Sequence, residues 1–211
     1  MSSFPFFLQK YNYNFSLKSN DLPSWFLQFT EPEPPSYWKT VFDILCNEDR
    51  NKSIVEIGSG FGNITALLHF LGFHKIISFE RSEKLAEATK QKIQDLFGKK
   101  SEVINTSYPQ PLNFIPDILI QVNCVYADNI SCKREYINQI KNTYEANGKP
   151  NTFIVEFIDS NFKMKHIDYP EFVRLNELEV SETFPDCKIE SFETYKFPVN
   201  KTSKRIYVIC K

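Results

Sequence analysis

Apolar and polar positions alternate along most of the chain in a way that separates short runs from longer amphipathic stretches. From residue 37 onward, apolar side chains recur every three or four positions, which predicts a helix. Continuous apolar runs predict buried strands at 53–58, 75–80, 101–106, 117–123 and 152–158. Stretches with helical spacing follow most of these runs, at 63–73, 82–98, 132–148 and 170–184.

Residues that favour helix ends lie at the borders of these stretches. Ser82 is a candidate N-cap, and Pro170 is suited to the first turn of the last helix. Gly72, Gly98 and Gly148 each follow a helical stretch, where glycine permits the left-handed conformation that ends a helix. The end signals therefore agree with the spacing.

The C-terminal tail departs from the strand-helix alternation. The runs 188–199 and 203–210 are separated by a short polar turn, which predicts an antiparallel hairpin. Five strand-helix units followed by a hairpin predict a doubly wound α/β, Rossmann-like sheet. We expect seven strands, mostly parallel, with one antiparallel strand near the C-terminal edge.

The N-terminal segment has a different character. The first 30 residues are rich in aromatic side chains without clear periodicity, and "EPEPPS" at 31–36 predicts an extended connector. We therefore divide the chain into an aromatic and proline-rich arm, 1–36, and one domain, 37–211.

Composition limits the classes of partner. The formal net charge is -1, so no DNA partner is inferred, and basic clusters such as Lys201, Lys204 and Arg205 are expected on solvated faces. No apolar stretch is long enough to span a membrane, and the N-terminus does not resemble a signal peptide.

The five cysteines form no C-x-x-C pair, and the three histidines are scattered. We expect an intracellular protein, cytoplasmic or nuclear, without a metal site; the oligomeric state stays open.

The stretch "SIVEIGSGFGNIT", residues 53–65, contains three of the six glycines in the chain. They lie directly after the first predicted strand, at the sheet edge where doubly wound folds bind ligands. Glycine allows a sharp turn and a close approach of backbone to ligand. The spacing is G-x-G-x-G, with Asn63 where a dinucleotide fingerprint has its third glycine.

Two acidic residues complete this pattern. Glu56 precedes the glycines and suits a cationic ligand rather than a phosphate, and Glu80 ends the second strand, where a carboxylate can bind both hydroxyls of a ribose. These residues resemble motifs I and II of the class I S-adenosylmethionine-dependent methyltransferases, over residues 37–211. The resemblance implies S-adenosyl-L-methionine as cofactor, held by Glu31, Glu56, Gly58, Ser59, Gly60, Gly62, Asn63, Glu80, Arg81, Ser107 and Asn123.

Three segments further resemble the disruptor-of-telomeric-silencing family of histone lysine methyltransferases. They are "VEIGSGFGN" (55–63), "VNCVYA" (122–127) and the upstream "FTEPEPPSY" (29–37). The upstream segment has Phe29 and Thr30 in place of Tyr-Gly, and Cys124 replaces a second asparagine. The third-strand acid that usually contacts adenine is absent, and Asn105 or Ser107 are the nearest substitutes. The family's basic nucleosome-binding segments are also missing.

The resemblance implies a methyl transfer to an amine, with a protein lysine as the expected acceptor. Asn123 and Tyr126 are the candidate catalytic residues, with Asn123 aiming the amine, and Phe29 or Tyr37 are candidate aromatic walls. A small molecule or an RNA is the alternative acceptor. A third possibility is a scaffold that binds the cofactor without catalysis.

Overall fold

A computed structural model of the chain describes residues 4–19, 22–108, 110, 112–124, 129–163, 169–196 and 202–211. The α-helices are α1 (Phe4–Ser16), α2 (Ser36–Leu45), α3 (Asn63–Leu71), α4 (Glu83–Phe97), α5 (Lys133–Ala146) and α6 (Glu177–Thr183). The strands are β1 (Ser53–Ile57), β2 (Lys75–Glu80), β3 (Glu102–Asn105), β4 (Ile118–Gln121), β5 (Thr152–Asp159), β6 (Arg174–Leu175), β7 (Lys188–Lys196) and β8 (Thr202–Cys210). Short 3₁₀ helices span Ser24–Phe29 and Glu171–Val173.

The strands form one sheet in the order β3-β2-β1-β4-β5-β8-β7, with the two-residue β6 pairing beside β5. β1 to β5 pair in parallel, whereas β8 runs antiparallel to both β5 and β7. The predicted fold class, including the reversed strand near the C-terminal edge, is confirmed. The structure adds the short β6 to the seven expected strands.

The parallel register brings the carboxyl ends of the central strands to one edge of the sheet. Ile57 pairs with Phe79, and Glu80 pairs with Asn105. The turns that follow β1, β2 and β4 therefore lie side by side, as doubly wound topology requires. This edge carries the glycine-rich stretch.

The predicted helix at 170–184 is wrong in its first half. Glu171–Val173 form a 3₁₀ turn, and Arg174 and Leu175 pair with the end of β5. The α-helix begins only after Asn176, whose side chain accepts a hydrogen bond from the Glu179 N–H while the Glu179 carboxylate accepts one from Asn176 N–H. This capping box fixes the helix start, so pairing with the sheet prevails over the apolar spacing upstream.

The N-terminal arm contains structure that the sequence pattern did not predict. α1 and the following 3₁₀ helix bury Phe4, Leu8, Phe26 and Phe29 in the core on one face of the sheet, together with α2, α3 and α4. α5 and α6 pack on the opposite face. Burying such large side chains offsets the entropic cost of ordering the arm.

No helix in the described part of the chain is long and apolar enough to cross a membrane.

Candidate active site

A tight glycine turn joins β1 to α3. Gly58, Gly60 and Gly62 have φ of 72°, 55° and 70°, the left-handed region in which a side chain is unfavourable. The N–H groups of Gly58 and Ser59 both donate to the carbonyl of Phe79, at 2.8 and 3.1 Å. The turn is thereby tied to the end of β2.

The three glycines serve different purposes. A Cβ on Gly58 would lie 2.4 Å from Cys124 Sγ, and one on Gly62 would lie 2.6 Å from the Thr89 side chain. A Cβ on Gly60 would meet no described atom within 4 Å. Gly58 and Gly62 thus permit close packing, whereas Gly60 faces open space.

Glu80 lies beside this turn and bonds through one oxygen to the turn and through the other to the start of α4. Its Oε2 accepts a hydrogen bond from Gly60 N–H at 2.8 Å, and its Oε1 accepts one from Ser82 N–H at 2.9 Å. The side chain is buried. Because each carboxylate oxygen has two acceptor sites, Glu80 retains acceptor capacity toward a ligand.

Asn105 and Ser107, the nearest substitutes for the missing third-strand acid, lie in different environments. Asn105 donates from Nδ2 to the carbonyls of Glu80 and Arg81, at 3.0 and 3.1 Å, and so braces the turn after β2. Ser107 is exposed and lines a small cavity of about 70 Å³ together with Gly58, Arg81 and Tyr108.

Glu56 is buried beneath the glycine turn. Its Oε2 accepts hydrogen bonds from the hydroxyls of Thr65, at 2.5 Å, and Ser78, at 2.9 Å. Burial, as the largest effect, raises the pKa of Glu56 to about 7. A cation brought next to this carboxylate would restore its ionised form.

Asn63, the first residue of α3, belongs to a buried polar cluster that includes the N-terminal arm. Its Oδ1 accepts hydrogen bonds from Lys92 Nζ, at 2.7 Å, and from Asn12 Nδ2, at 3.0 Å. Lys92 Nζ also donates to Asn12 Oδ1 at 2.7 Å. Burial lowers the pKa of Lys92 well below its ordinary value. α1 is therefore linked to the glycine turn by hydrogen bonds.

A cavity of about 670 Å³ opens above the glycine turn. Its lining includes Ser59, whose Oγ is buried without a hydrogen-bond partner among the described residues. A buried hydroxyl is normally paired, so Ser59 Oγ is available to a ligand in this cavity. We name this space the cofactor cavity; eight predicted residues line it: Glu56, Gly58, Ser59, Gly60, Asn63, Glu80, Arg81 and Asn123.

Asn123 follows β4 and occupies the far side of the cofactor cavity. It has a φ of 54°, which asparagine tolerates better than most residues. Its Oδ1 accepts a hydrogen bond from Lys204 Nζ at 2.9 Å, and its N–H donates to Glu156 Oε2 at 3.1 Å. Its Nδ2 donates to Tyr37 Oη at 3.4 Å, so the upstream segment and the fourth-strand segment do meet.

A second cavity of about 610 Å³ adjoins the first. The two share Gln28, Tyr37, Asn123, Tyr169 and Lys204 in their linings. We name this space the acceptor cavity. A site for one molecule beside a site for another, with a polar residue between them, is the arrangement that group transfer needs.

Three of the predicted cofactor-binding residues lie outside the lining of the cofactor cavity. Glu31 lines the acceptor cavity, Ser107 lines the small cavity that adjoins Gly58 and Glu80, and Gly62 packs against Thr89. Phe29 is buried against Trp38 and also lines the cofactor cavity. Tyr126 lies outside the described residues.

The sequence pattern did not predict a buried cation at the junction of the two cavities. Lys204 and Arg205 were expected on a solvated face, which is wrong: their side chains are 14% and 19% exposed. Lys204 Nζ lies 3.4 Å from Glu156 Oε2, and Arg205 Nε lies 2.6 Å from Asp159 Oδ2. Glu156 and Asp159 interrupt the apolar run of β5, and a charge within a buried strand was the signal that a partner exists.

Within the described ranges, no cluster of three or more His, Cys, Asp or Glu residues is arranged to hold a metal ion. Burial lowers the pKa of His69 to about 4.

The fold resembles those of solved methyltransferase structures. Magnesium protoporphyrin IX methyltransferase from Synechocystis PCC 6803 with bound SAH has a TM-score of 0.66 and 12% identity, over 95% of this chain and 93% of that chain. The methyltransferase domain of bacterial CtHen1 has a TM-score of 0.60 and 17% identity, over 83% and 96%. The pyocyanin biosynthetic protein PhzM has a TM-score of 0.60 and 13% identity, over 94% and 61%.

No family model matches the sequence, and no curated protein matches it. None of the three structures above is named as a protein lysine methyltransferase. At such low identity the similarity concerns the fold, which leaves the substrate open. The chain has the fold of the class I S-adenosylmethionine-dependent methyltransferases.

Proposed function

We propose that the chain is an S-adenosylmethionine-dependent methyltransferase that acts on a small molecule. The observation that carries the proposal is the pair of adjoining cavities that meet at Asn123, Tyr37 and Lys204. One cavity lies over the glycine turn, where this fold binds its nucleoside, and the other leads to the same junction.

The residues around the cofactor cavity fit the cofactor. Gly60 leaves open space above the turn, and Ser59 Oγ is buried without a described partner. Glu80 suits the ribose hydroxyls, and Glu56 suits a ligand that carries an ammonium and a sulfonium. The small cavity lined by Arg81, Ser107 and Tyr108 adjoins Gly58 and Glu80 and suits the adenine.

When bound, the cofactor supplies an electrophilic methyl group. The residues at the junction then have to position the acceptor and exclude water. Asn123 presents an amide oxygen whose orientation is fixed by Lys204 and whose second lone pair is available to a substrate N–H or O–H. Its left-handed backbone is a local strain of the kind that clusters at functional sites.

The acceptor cavity favours a small molecule over a macromolecule. Its volume of about 610 Å³ is that of a pocket for a drug-sized ligand, roughly 300–1,000 Å³. Glu31 and Glu33 line it and would repel the phosphates of an RNA, and the net charge of -1 adds no attraction.

A protein lysine is not favoured over a small amine by this geometry. The Asn123 oxygen accepts a hydrogen bond from Lys204 and keeps one lone pair, which either kind of amine can use. The lysine acceptor therefore becomes an outcome of the tests below.

The proposal is tested by titrating the protein with S-adenosylmethionine and S-adenosylhomocysteine in a calorimeter. We expect both to bind, and we expect Glu80→Gln to weaken binding by about 1.5–3 kcal/mol because a charge-assisted acceptor is lost. The control is Glu87→Gln, an exposed residue of α4 that pairs with Lys90 and lines neither cavity.

Failure of the unaltered protein to bind either compound would overturn the proposal. Equal affinity of Glu80→Gln and the unaltered protein would remove the ribose assignment. Tight binding without turnover on any small molecule, RNA or protein fraction would favour the non-catalytic scaffold.

A further inference from the structure

The charges and the aromatic side chains that line the acceptor cavity limit the class of ligand that it can bind, on the premise that the proposed function holds. Its described lining combines aromatic rings with carboxylates and one ammonium group. The rings belong to Tyr37, Phe162, Tyr169 and Tyr195. Aromatic rings in a cavity wall suit an apolar or aromatic part of a ligand, and the faces of the rings also attract cations.

A cation already occupies one of these faces. Lys204 Nζ lies 5.5 Å from the centroid of the Tyr169 ring, beside its contacts with Asn123 and Glu156. The neighbouring Glu156 and Tyr169 keep the pKa of Lys204 raised although burial opposes this. Lys204 is therefore a fixed positive charge at the inner end of the acceptor cavity.

The carboxylates outnumber this charge. Among the described lining residues, Glu31, Glu33 and Glu156 face a single ammonium, that of Lys204. Glu156 is buried and bound to Lys204 and to Thr194 Oγ1, the latter at 2.9 Å. Glu31 and Glu33 are exposed, and they leave the described outer part of the cavity negative.

We propose that the acceptor cavity binds a small organic amine, with an apolar or aromatic body between the rings and its basic nitrogen directed toward Asn123. Glu31 and Glu33 attract the amine as a cation at the outer part. The ammonium of Lys204 at the inner end disfavours a second ammonium and promotes loss of a proton to water.

The nitrogen then has a lone pair for the transfer. It forms a bond to the methyl carbon while the carbon–sulfur bond breaks, and the electron pair of that bond passes to sulfur. The positive charge moves from sulfur to nitrogen, and the methylated nitrogen can release a further proton to water. No other reactant is required.

The experiment compares three probes that share an indole body: tryptamine, 3-(indol-3-yl)propan-1-ol and indole-3-propionic acid. Each is titrated calorimetrically into protein saturated with S-adenosylhomocysteine, which has no methyl group to transfer. We expect tryptamine to bind at least about tenfold more tightly than the acid, because the two exposed carboxylates attract an ammonium and repel a carboxylate. The preference should shrink as salt is added.

The variant Glu31→Gln/Glu33→Gln should lose most of the preference for tryptamine while S-adenosylhomocysteine binds unchanged. The matched control is Glu87→Gln/Glu190→Gln, which removes two exposed carboxylates that line neither cavity. The control changes the net charge by the same amount, and the preference should persist because neither of its carboxylates lines the acceptor cavity.

Tighter binding of the acid, an unchanged preference in the Glu31/Glu33 variant, or no binding of any probe would overturn the inference. Tighter binding of an acetyl-Ala-Lys-Ala-amide peptide than of tryptamine would also overturn it, in favour of a protein lysine. Failure of S-adenosylhomocysteine to bind would instead contradict the proposed function, so the two failures are distinguishable.

Discussion

The cofactor cavity and the acceptor cavity are built in opposite ways. The cofactor cavity takes much of its lining from two turns, residues 58–64 and 80–81, where backbone groups and the left-handed Gly58 and Gly60 shape the surface. The acceptor cavity is lined by side chains that range from Gln28 to Lys204 along the sequence. Its inner end depends on ion pairing and hydrogen bonds among Asn123, Glu156 and Lys204.

Because of this difference, the two cavities should tolerate different amino-acid substitutions. A surface built of backbone tolerates few substitutions, because its glycines are left-handed and a Cβ on Gly58 has no room beside Cys124. A surface built of side chains can change its ligand by substitution while the fold persists. Variants at the two cavities should therefore fail in different measurements.

The largest effect is expected at the junction of the cavities. Asn123→Ala should lower turnover at least about a hundredfold, since the group that positions the acceptor is lost, while cofactor affinity changes little. Asn129→Ala is the matched control, because Asn129 is also left-handed, with a φ of 62°, but lines neither cavity. Steady-state kinetics with an identified acceptor measure the effect; equal losses in both variants would attribute it to backbone strain.

The next effect concerns the backbone of the cofactor cavity. Gly58→Ala should destabilise the fold by about 1–2 kcal/mol for its left-handed φ and by a further 1–3 kcal/mol, roughly, for the clash with Cys124. Gly72→Ala carries the first cost alone, because a Cβ there meets no described atom within 4 Å. Urea unfolding compares the two, and similar midpoints would show that the clash is relieved elsewhere.

A smaller effect should appear in the pH dependence of cofactor binding. Glu56 has a pKa of about 7 before the ligand binds, and a cationic ligand favours its ionised form. Affinity for S-adenosylmethionine should therefore rise with pH up to about 7, by about tenfold for each unit that binding lowers the pKa. Calorimetry at pH 5.5 to 8 measures this. Glu56→Gln should lose that rise, and an identical profile in both proteins would contradict the role of Glu56.

The smallest effect is expected at the cluster behind the cofactor cavity. The pKa of Lys92 is lowered by burial, so the unfolded chain binds a proton that the folded protein does not bind as readily. The free energy of unfolding should rise with pH in the window below 10.5, and Lys92→Met should remove that slope. Lys90→Met, at an exposed neighbouring position, is the control. Urea unfolding at pH 7, 8 and 9 measures it; an unchanged slope in Lys92→Met would contradict the assignment.

Local sequence patterns were sufficient to predict the sheet and the glycine turn. The order of strands and helices, the terminal hairpin and the positions of Gly58, Gly60 and Glu80 follow from periodicity and from residues that favour turns, which act over a few positions. The same rules failed at 170–184, because pairing of Arg174 with β5 is a contact between distant segments. They also failed to predict α1, whose weak periodicity is offset by burial of Phe4 and Leu8.

The sequence by itself determined the doubly wound sheet and placed a glycine turn and two acids at its ligand-binding edge. Only the tertiary structure decided that Glu31 faces a second cavity, that Lys204 is buried beside Asn123, and that Asn12 reaches Asn63 through Lys92. The physical reason is the distance along the sequence over which each kind of interaction acts. Backbone conformation depends on near neighbours, whereas a buried charge is stable only beside partners that the fold brings from far along the chain.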